Sequence, residues 1–250
     1  MLPLSSHTAL ITGAGRGLGR EIALALARSG ASLWLVSRTA SELEQTAELA
    51  RNLGAEVRTW VADVASEDDV NRLREAVESA PATVSILVNN AGIHLRKMVT
   101  DITLAEWNRI LAVNLTSIFL MSRAFVPAMK QARYGRIVNL SSVTSLTAAP
   151  ARSGYAATKA GILGLTRSLA LELAEWGITV NSVSPGTFAT EMNAPLLNDP
   201  RISRQFLSRI PVGRWGRPSE IGAVVEHLCS PESSFITGTD ILIDGGWRAA

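Results

Sequence analysis

The chain has 250 residues, of which 47% are hydrophobic and 18% charged, and its formal net charge is +2. This composition is typical of a globular protein, and the length fits one large α/β domain. No basic tract indicates a nucleic-acid partner, and no uninterrupted apolar run of eighteen residues indicates a membrane span. Because the N-terminal residues also lack the features of a secretory signal, the sequence predicts a cytoplasmic protein.

Short apolar runs alternate with longer helical patterns along the chain. The predicted strands cover residues 8–11, 32–36, 56–61, 86–88, 136–140, 178–183 and 240–243. The predicted helices cover residues 21–28, 40–53, 66–79, 104–131 and 156–176. Such alternation implies right-handed βαβ units. The sequence therefore predicts one α/β domain over residues 1–250, a Rossmann fold whose doubly wound, seven-stranded parallel sheet carries helices on both faces.

A proline-rich, irregular region follows the predicted strand 178–183. Residues 187–217 contain Pro195, Pro200 and Pro211 and show no clear periodicity. Because ligands bind beyond the carboxyl ends of strands in open α/β sheets, we expect a substrate lid around residues 187–217. A surface excursion without a function is the alternative.

The cysteine and histidine content gives no sign of a metal or disulfide. Cys229 is the single cysteine, and its apolar neighbours are typical of a buried helix face. His7, His94 and His227 have no companions at metal-ligand spacing, so no metal is predicted.

A glycine cluster links the first predicted strand to the first predicted helix. It contains Gly13, Gly15, Arg16, Gly17, Leu18 and Gly19. Glycines permit a tight turn and let backbone N–H groups approach a pyrophosphate, while the helix N-terminus favours negative charge. Within a βαβ unit, this pattern predicts a dinucleotide site.

The residues after the second strand bear on the choice of cofactor. An acidic side chain there would accept hydrogen bonds from the ribose 2′-hydroxyl of NAD and repel the 2′-phosphate of NADP. The chain instead has Ser37 and Arg38, and Arg16 can reach the same corner. Two guanidinium groups and a hydroxyl suit a phosphate, so NADP(H) is preferred over NAD(H), which remains possible.

Tyr155 and Lys159 have the spacing that brings two side chains to one helix face. A lysine ammonium beside a tyrosine stabilises the phenolate, so we expect Lys159 to lower the Tyr155 pKa toward neutrality. Tyr155 is then a general acid or base for a carbonyl or alcohol. It lies thirteen residues after Ser142, which follows a predicted strand.

These motifs closely resemble those of the short-chain dehydrogenase/reductase family, of the shorter type. They occur in family order and comprise Thr12-Gly13-x-x-x-Gly17-x-Gly19, Asp63-Val64, Asn89-Asn90-Ala91-Gly92, Asn114, Ser142, Tyr155-x-x-x-Lys159, Pro185-Gly186 with Thr190, and Asp244-Gly245-Gly246. The resemblance implies an enzyme that transfers a hydride between a nicotinamide cofactor and a small-molecule carbonyl or alcohol.

The resemblance also implies roles for single residues. Tyr155 is similar to the family's proton donor, Ser142 rather than Ser141 to the hydroxyl that polarises the carbonyl, and Lys159 to the lysine that also binds the nicotinamide ribose. Asn114 resembles the asparagine that holds a proton-relaying water. Asp63 resembles the adenine contact, although it could instead cap the helix that follows. The remaining implied cofactor residues are Val64, Asn90, Ala91, Gly92, Pro185, Gly186, Phe188 and Thr190.

The substrate is less clear, and two interpretations within the family stay open. Several stretches resemble gluconate 5-dehydrogenases and other sugar-acid or polyol oxidoreductases. Arg96 and Arg152 are candidate partners for a substrate carboxylate, and His94 and Thr144 are further candidate substrate contacts. The second interpretation is a 3-oxoacyl-[acyl-carrier-protein] reductase. Here Arg133 and its neighbour Arg136 match one basic carrier-binding position, whereas Trp176 occupies the other.

An interpretation of another class is a catalytically inactive, cofactor-binding regulatory protein, against which the intact Ser142, Tyr155 and Lys159 argue. The resemblance further implies a homotetramer, in which the helices predicted over 104–131 and 156–176 pair across an interface. Trp247 could reach a neighbouring subunit.

Overall fold

The computed structural model describes residues 3–81 and 83–250, so residues 1, 2 and 82 of the predicted domain lie outside it. The described residues form one seven-stranded parallel sheet with helices on both faces, which confirms the predicted fold class. The strands are β1 Thr8–Thr12, β2 Ser32–Ser37, β3 Val57–Val61, β4 Val84–Asn89, β5 Gly135–Leu140, β6 Ile178–Pro185 and β7 Asp240–Ile243. The α-helices are α1 Gly17–Arg28, α2 Ala40–Arg51, α3 Glu67–Glu78, α4 Leu104–Leu111, α5 Ser117–Ala132, α6 Ser153–Leu173, α7 Ala194–Leu197, α8 Pro200–Leu207 and α9 Pro218–Cys229.

The strand order of the sheet determines where a ligand can bind. The order is β3-β2-β1-β4-β5-β6-β7, so the chain reverses its direction of progress between β1 and β4. Every residue of β1 and β6 is buried, because helices cover both faces of the sheet. A crevice forms at the carboxyl ends of the strands where the order reverses, and this is where open α/β sheets bind ligands.

Two apolar layers hold the helices on the sheet. On one face, Leu26 of α1 and Val225 of α9 are fully buried in a cluster with residues of β1 and β2. On the other face, Leu73 of α3 and Met121 of α5 are fully buried with residues of β4 and β5. Each such side chain contributes about 2 kcal/mol by leaving water. The two layers make the sheet a rigid platform for its carboxyl edge.

The helix predicted over residues 104–131 is interrupted near its middle. The described structure has α4, then a π-helical turn at Ala112–Thr116, then α5. A capping box at Thr103 and Glu106 starts α4, which explains the sharp N-terminal boundary. A π-turn inserts an extra residue and re-aims side chains, and such turns are frequent at functional sites. This one carries Asn114.

The same stretch bears on the expectation about membranes. Leu104–Ala132 is the one described helical stretch long and apolar enough to cross a membrane, with a mean hydropathy of 1.6 over its 18-residue window. Half of that window is buried inside the protein, where α5 packs on β4, β5 and α3. This burial is typical of a core helix.

The region predicted as an irregular lid contains short helices. A 3₁₀ turn at Glu191–Asn193 leads to α7 and α8, and the chain then runs without regular structure to α9. Pro218 opens α9 in the first turn, where its missing N–H has no cost. Cys229 ends α9 as a buried, free cysteine, which confirms the expected burial.

Candidate active site

A groove of about 530 Å³ opens along the carboxyl ends of β1, β4, β5 and β6. Ser142, Tyr155 and Lys159 lie on its wall, whereas Asn114 is fully buried outside the lining. The predicted cofactor residues also line it, namely Gly13, Gly15, Arg16, Gly17, Leu18, Gly19, Ser37, Arg38, Asp63, Val64, Asn90, Ala91, Gly92, Pro185, Gly186, Phe188 and Thr190. The sheet therefore brings residues from distant parts of the chain into one groove.

The glycine loop is closely packed and braced from β4. Gly17 has a φ of 57°, a conformation that favours glycine. A Cβ atom at Gly19 would lie 2.1 Å from the Gly13 oxygen, so only glycine fits there. The Asn90 Nδ2 donates hydrogen bonds to the oxygens of Thr12 at 3.0 Å and Gly13 at 3.1 Å. These contacts hold the loop against α1, whose N-terminus faces the groove.

One end of the groove carries the residues that could recognise a phosphate. Ser37 ends β2, and the exposed Arg38 follows it, while Arg16 extends from the glycine loop. An acidic residue, Glu42, lines the same end and lies 3.2 Å from Arg16. Sequence reasoning missed Glu42 because it considered only the residues directly after β2, whereas Glu42 lies in the first turn of α2.

Asp63 faces the groove as a charged acceptor and does not cap α3. Its Oδ1 accepts from the Ala65 N–H at 3.0 Å and its Oδ2 accepts from Arg109 at 2.8 Å. Burial raises the Asp63 pKa, but the Ala65 and Arg109 hydrogen bonds outweigh it and hold this pKa below its usual value. Ser66 caps α3 instead, accepting from the Asp69 N–H.

Two adjacent serines at the end of β5 have different surroundings. The Ser142 Oγ accepts from the Thr144 N–H at 3.2 Å and lies on the groove wall at the start of a 3₁₀ turn. The Ser141 Oγ donates to the backbone oxygen of Lys159 at 3.0 Å, which ties β5 to α6. The geometry therefore leaves Ser142 as the serine better oriented for a ligand.

The expected lysine–tyrosine pair lies on one face of α6, but its geometry differs from the simple expectation. The Lys159 Nζ donates to the Leu140 oxygen at 2.6 Å and lies 5.7 Å from the centroid of the Tyr155 ring. Burial lowers the Lys159 pKa to about 8. In this arrangement the ammonium is directed at a backbone carbonyl at the end of β5.

The direction of the Tyr155 pKa corrects the sequence-based expectation. Burial raises this pKa, and the hydrogen bond with Ser142 and the charge of Arg152 only partly oppose the rise. The expectation of a pKa lowered by Lys159 is therefore wrong for this structure, because desolvation of the phenol dominates. A phenol with a raised pKa stays protonated and can donate its proton.

The Asn114 side chain forms hydrogen bonds within the protein through both its oxygen and its nitrogen. Its Oδ1 accepts from the Ile93 N–H at 2.8 Å, while its Nδ2 donates to the Ile93 oxygen at 3.0 Å and to Thr158 at 3.3 Å. The π-turn orients Asn114 for this bidentate grip. Asn114 therefore fixes Ile93, 21 residues earlier in the chain, and with it the segment after β4 beside Gly92.

Two side chains next to Tyr155, one of them cationic, form part of the groove wall. The His94 ring stacks on the Tyr155 ring with centroids 4.2 Å apart, and its Nδ1 lies 3.2 Å from a guanidinium nitrogen of Arg152. Burial, with the charges of Arg152 and Arg96, lowers the His94 pKa to about 4. Among residues 3–81 and 83–250, no carboxylate forms an ion pair with Arg152.

The other predicted substrate contacts divide into two groups. Thr144 lines the groove, as do His94 and Arg152. Arg96 is exposed and does not line it, so the structure does not bring it to the proposed contact. Its charge still contributes to lowering the His94 and Arg152 pKa values.

The groove mouth combines three residues of the predicted lid with Trp247, which the sequence did not assign to the groove. Gln205, Phe206, Arg209 and Trp247 line it. The Trp247 ring lies 5.7 Å from the Phe206 ring and 4.4 Å from the Arg209 guanidinium carbon. Trp247 thus packs on the predicted lid of its own chain. No local pattern links these residues, because topology alone brings them together.

The proposed carrier-binding arginines are occupied by contacts within the chain. Arg136 is 2% exposed, and its guanidinium donates to the oxygens of Gly135, Gly177 and Ser230. The expectation that Arg136 grips a partner is therefore wrong. Arg133 is exposed, but it donates to the Glu175 oxygen at 2.8 Å and lies over the Trp176 ring.

The shape and chemistry of the groove fit an extended dinucleotide. A glycine-rich loop lies at a helix N-terminus, arginines stand at one end, and Ser142 and Tyr155 stand at the other. The described part of the chain contains no group of three or more His, Cys, Asp or Glu side chains that could hold a metal.

Comparison with known proteins identifies close relatives. A family model described as enoyl-(acyl carrier protein) reductase matches residues 13–248. The 3-oxoacyl-[acyl-carrier-protein] reductase FabG of Aquifex aeolicus (strain VF5) is 37% identical over 246 residues, which cover 98% of each chain.

Solved structures share the fold over nearly the whole chain. A proposed gluconate dehydrogenase from Agrobacterium tumefaciens has a TM-score of 0.97 and 36% identity, covering 100% of this chain and 98% of that one. A gluconate 5-dehydrogenase from Burkholderia cenocepacia J2315, in complex with NADP and tartrate, has a TM-score of 0.94 and 34% identity with the same coverage. These similarities extend across the groove and its surroundings.

Proposed function

Because the chain belongs to the short-chain dehydrogenase/reductase family, we propose that it is an NADP(H)-preferring oxidoreductase that interconverts a keto and a hydroxy sugar acid or polyol. Its coarser activity, oxidoreduction at carbonyl and CH–OH groups, follows from family membership. The finer proposal concerns the cofactor preference and the gluconate 5-dehydrogenase-like substrate.

The proposed catalytic residues handle the proton. When bound, the cofactor supplies the hydride. The Tyr155 hydroxyl gives its proton to the oxygen of the reduced carbonyl and takes it back in the reverse direction. The Ser142 hydroxyl donates a hydrogen bond to the same oxygen and stabilises the charge that develops there. Lys159 binds the nicotinamide ribose, and Asn114 fixes the segment after β4 through Ile93.

The NADP(H) preference is supported by the positive charge at one end of the groove. Arg16, Ser37 and Arg38 line that end, and a guanidinium offers several donors to a phosphate. The related gluconate 5-dehydrogenase from Burkholderia cenocepacia was solved with NADP. NAD(H) remains the alternative cofactor.

The observation that carries the substrate proposal is the position of Arg152. It lines the groove next to the Tyr155 ring and is partly buried. It has no carboxylate partner in the described part of the chain. A partly buried, unpaired cation is costly unless an anion joins it. A substrate carboxylate would satisfy Arg152 while its keto or hydroxyl group faces Tyr155.

A structural relative adds support for an anionic substrate. The gluconate 5-dehydrogenase that is 34% identical to this chain was solved with tartrate, a compound with two carboxylates. We propose that this chain likewise binds a carboxylate, through Arg152, with His94 and Thr144 as further contacts. Residues 187–217, with α7 and α8, form the proposed lid over this substrate.

Reduction of a 3-oxoacyl group on acyl-carrier protein is the second candidate. Relatives with that name favour it, including the one from Aquifex aeolicus at 37% identity. The buried Arg136 and the occupied Arg133 argue against carrier binding at the expected position. A third candidate, a regulatory protein without activity, has the intact Ser142, Tyr155 and Lys159 against it.

We further propose that the protein acts as a cytoplasmic homotetramer. Helices α5 and α6 leave an apolar strip on the surface that includes Leu115, Phe119 and Leu165. Phe119 is 48% exposed and Leu171 of α6 is 84% exposed. Light scattering of wild type and a Phe119→Lys variant tests this assembly, because the charge should dissociate it. A monomeric wild type would contradict the proposal.

A steady-state screen tests the function as a whole. It compares NADPH and NADH with 5-ketogluconate, polyols, a β-ketoacyl thioester on carrier protein and neutral ketones. The highest kcat/KM with NADPH and the sugar acid would support the proposal, and a preference for the carrier-bound thioester would favour the second candidate. NADPH binding without turnover of any of these compounds would favour the inactive regulatory protein.

A further inference from the structure

Two carboxylates lie at the end of the groove where the 2′-phosphate of NADP(H) would bind. A guanidinium nitrogen of Arg16 lies 3.2 Å from Oε1 of Glu42 and 3.7 Å from Oε2 of Glu191. Glu42 and Glu191 both line the groove beside Ser37 and Arg38. One of the proposed phosphate-binding arginines is therefore already paired with anions from its own chain.

Packing holds Glu42 close to this corner. A Cβ atom at Gly15 would lie 2.8 Å from the Glu42 Cβ, 3.2 Å from its Oε2 and 3.3 Å from the Ser37 Oγ. The carboxylate and the Ser37 hydroxyl therefore border the same small space beside the glycine loop. Thr46, one turn later in α2, donates to the Gly15 oxygen at 3.0 Å and fixes the helix against the loop.

The charge of Glu42 is favoured in its position even without Arg16. It lies in the first turn of α2, where the helix dipole stabilises an anion. Its side chain is 30% exposed, against 65% for Glu191, so it is the more firmly held of the two. Glu42 is therefore a constant feature of the corner, whereas Glu191 comes from the segment that we assign to the lid.

The two nicotinamide cofactors would meet Glu42 differently. The Glu42 carboxylate repels a 2′-phosphate, which can bind Arg16 only by displacing that carboxylate. A ribose 2′-hydroxyl can instead donate a hydrogen bond to Glu42. We infer that Glu42 is a cofactor-specificity residue that competes with the 2′-phosphate for Arg16 and thereby weakens the preference for NADP(H). This inference rests on the proposed use of a nicotinamide dinucleotide.

Calorimetric binding of two adenine nucleotides isolates this corner from catalysis. Adenosine 2′,5′-bisphosphate carries the 2′-phosphate, and 5′-AMP does not. Glu42→Gln removes the charge and keeps the shape, so we expect the bisphosphate to bind about three- to fivefold more tightly, the upper part of the range for exposed charge pairs. The affinity for 5′-AMP should stay the same or fall.

A matched control comes from the same helix. Glu44 is exposed, pairs with Arg51 and does not line the groove, so Glu44→Gln removes one negative charge at a distance. It should leave both affinities within about twofold of wild type. An equal gain in Glu44→Gln and Glu42→Gln would attribute the effect to net charge and overturn the inference.

The role of Arg16 is tested by repeating the change without it. In an Arg16→Ala background, Glu42→Gln should give a clearly smaller gain in bisphosphate affinity, because no guanidinium is left to compete for. The same gain in both backgrounds overturns competition through Arg16. An unchanged ratio of the two affinities in Glu42→Gln alone also overturns the inference.

Titration of intact NADPH and NADH, followed by nucleotide fluorescence, distinguishes a failure of this inference from a failure of the proposed function. Wild type that binds neither dinucleotide would refute the proposed function and the inference with it. Wild type that binds both, with a Kd ratio that Glu42→Gln does not shift toward NADPH, would refute the inference alone.

Discussion

A guanidinium nitrogen of Arg152 lies 3.2 Å from Nδ1 of His94, which links the proposed carboxylate-binding side chain to the ring stacked on Tyr155. A guanidinium can only donate hydrogen bonds, so Nδ1 accepts and the neutral imidazole carries its proton on Nε2. The two side chains therefore form one unit, in which burial and the charge of Arg152 keep His94 neutral and His94 orients Arg152.

The low pKa of His94 predicts a loss of stability in acid. The folded-state pKa of about 4 lies below the value of about 6.5 for an unperturbed histidine, so protons bind the unfolded chain more readily. The stabilisation is present above pH 6.5 and is lost as the pH falls toward 4. His94→Phe keeps a stacking ring but cannot titrate. Between pH 7 and 4.5, wild type should lose about 2 kcal/mol more unfolding free energy than the variant.

Urea denaturation at the two pH values measures this difference. His227 is exposed on the outer part of α9, so His227→Phe serves as a matched control that should follow wild type in its pH dependence. Parallel losses in wild type and His94→Phe would show that His94 does not titrate as its surroundings require.

Arg152 should govern the affinity for carboxylate substrates. Charge-assisted hydrogen bonds are worth about 1.5–3 kcal/mol, so Arg152→Gln should raise KM for 5-ketogluconate about ten- to a hundredfold. KM for a neutral ketone should change little. Arg96→Gln is the control, because Arg96 is exposed and lies outside the groove lining. A similar rise for both substrates would contradict carboxylate recognition by Arg152.

Removing the Tyr155 hydroxyl should abolish proton transfer without preventing cofactor binding. Tyr155→Phe should lower kcat by about 10² to 10⁴, the usual contribution of a general acid, while the Kd for NADPH stays near wild type. Tyr134 offers a matched control, because its hydroxyl is buried without a hydrogen-bond partner in the described structure. Tyr134→Phe should keep full activity. Normal turnover by Tyr155→Phe would refute its role.

The hydrogen bonds from Asn90 to the glycine loop should depend on a single atom, the side-chain amide nitrogen. Asn90→Asp replaces a donor by an acceptor that faces the oxygens of Thr12 and Gly13. Leaving buried groups unpaired costs about 1–3 kcal/mol, so thermal stability should fall and NADPH should bind at least about tenfold more weakly. Asn108→Asp makes the same change at an exposed position of α4. Unchanged NADPH affinity in Asn90→Asp would mean that the loop needs no brace.

Arg38 should bind the 2′-phosphate of NADPH and so distinguish NADPH from NADH. Arg38→Ala should weaken NADPH binding about tenfold or more and leave NADH binding nearly unchanged, because only NADPH carries the 2′-phosphate. Fluorescence titration of both nucleotides measures the two effects. The exposed Arg167 lies outside the groove and provides a control substitution. Equal losses for the two nucleotides would show that Arg38 does not distinguish them.

The fold and much of the groove were predictable because they depend on local patterns. The alternation of strands and helices determines the sheet, and the i, i+4 spacing of Tyr155 and Lys159 brings them to one face of α6. The position of Glu42 depends instead on how α2 packs against the glycine loop. Thr46 of α2 donates a hydrogen bond to Gly15, 31 residues earlier in the chain. No periodicity in the sequence carries that information.

Burial was the property that sequence reasoning assessed least well. The sequence predicts a surface charge at Arg136, yet backbone oxygens surround its guanidinium inside the protein. The Tyr155 pKa shifts upward because the phenol is desolvated, an effect that a neighbouring lysine in the sequence does not reveal. Both errors come from the environment that distant segments create.

Trp247 completes the groove mouth from the segment that follows β7. Its contacts with Phe206 and Arg209 can form only after β7 has joined the edge of the sheet beside β6. The groove mouth therefore depends on the edge strand of the sheet, and loss of β7 from that edge would remove the Trp247 wall while β1 to β4 stay paired.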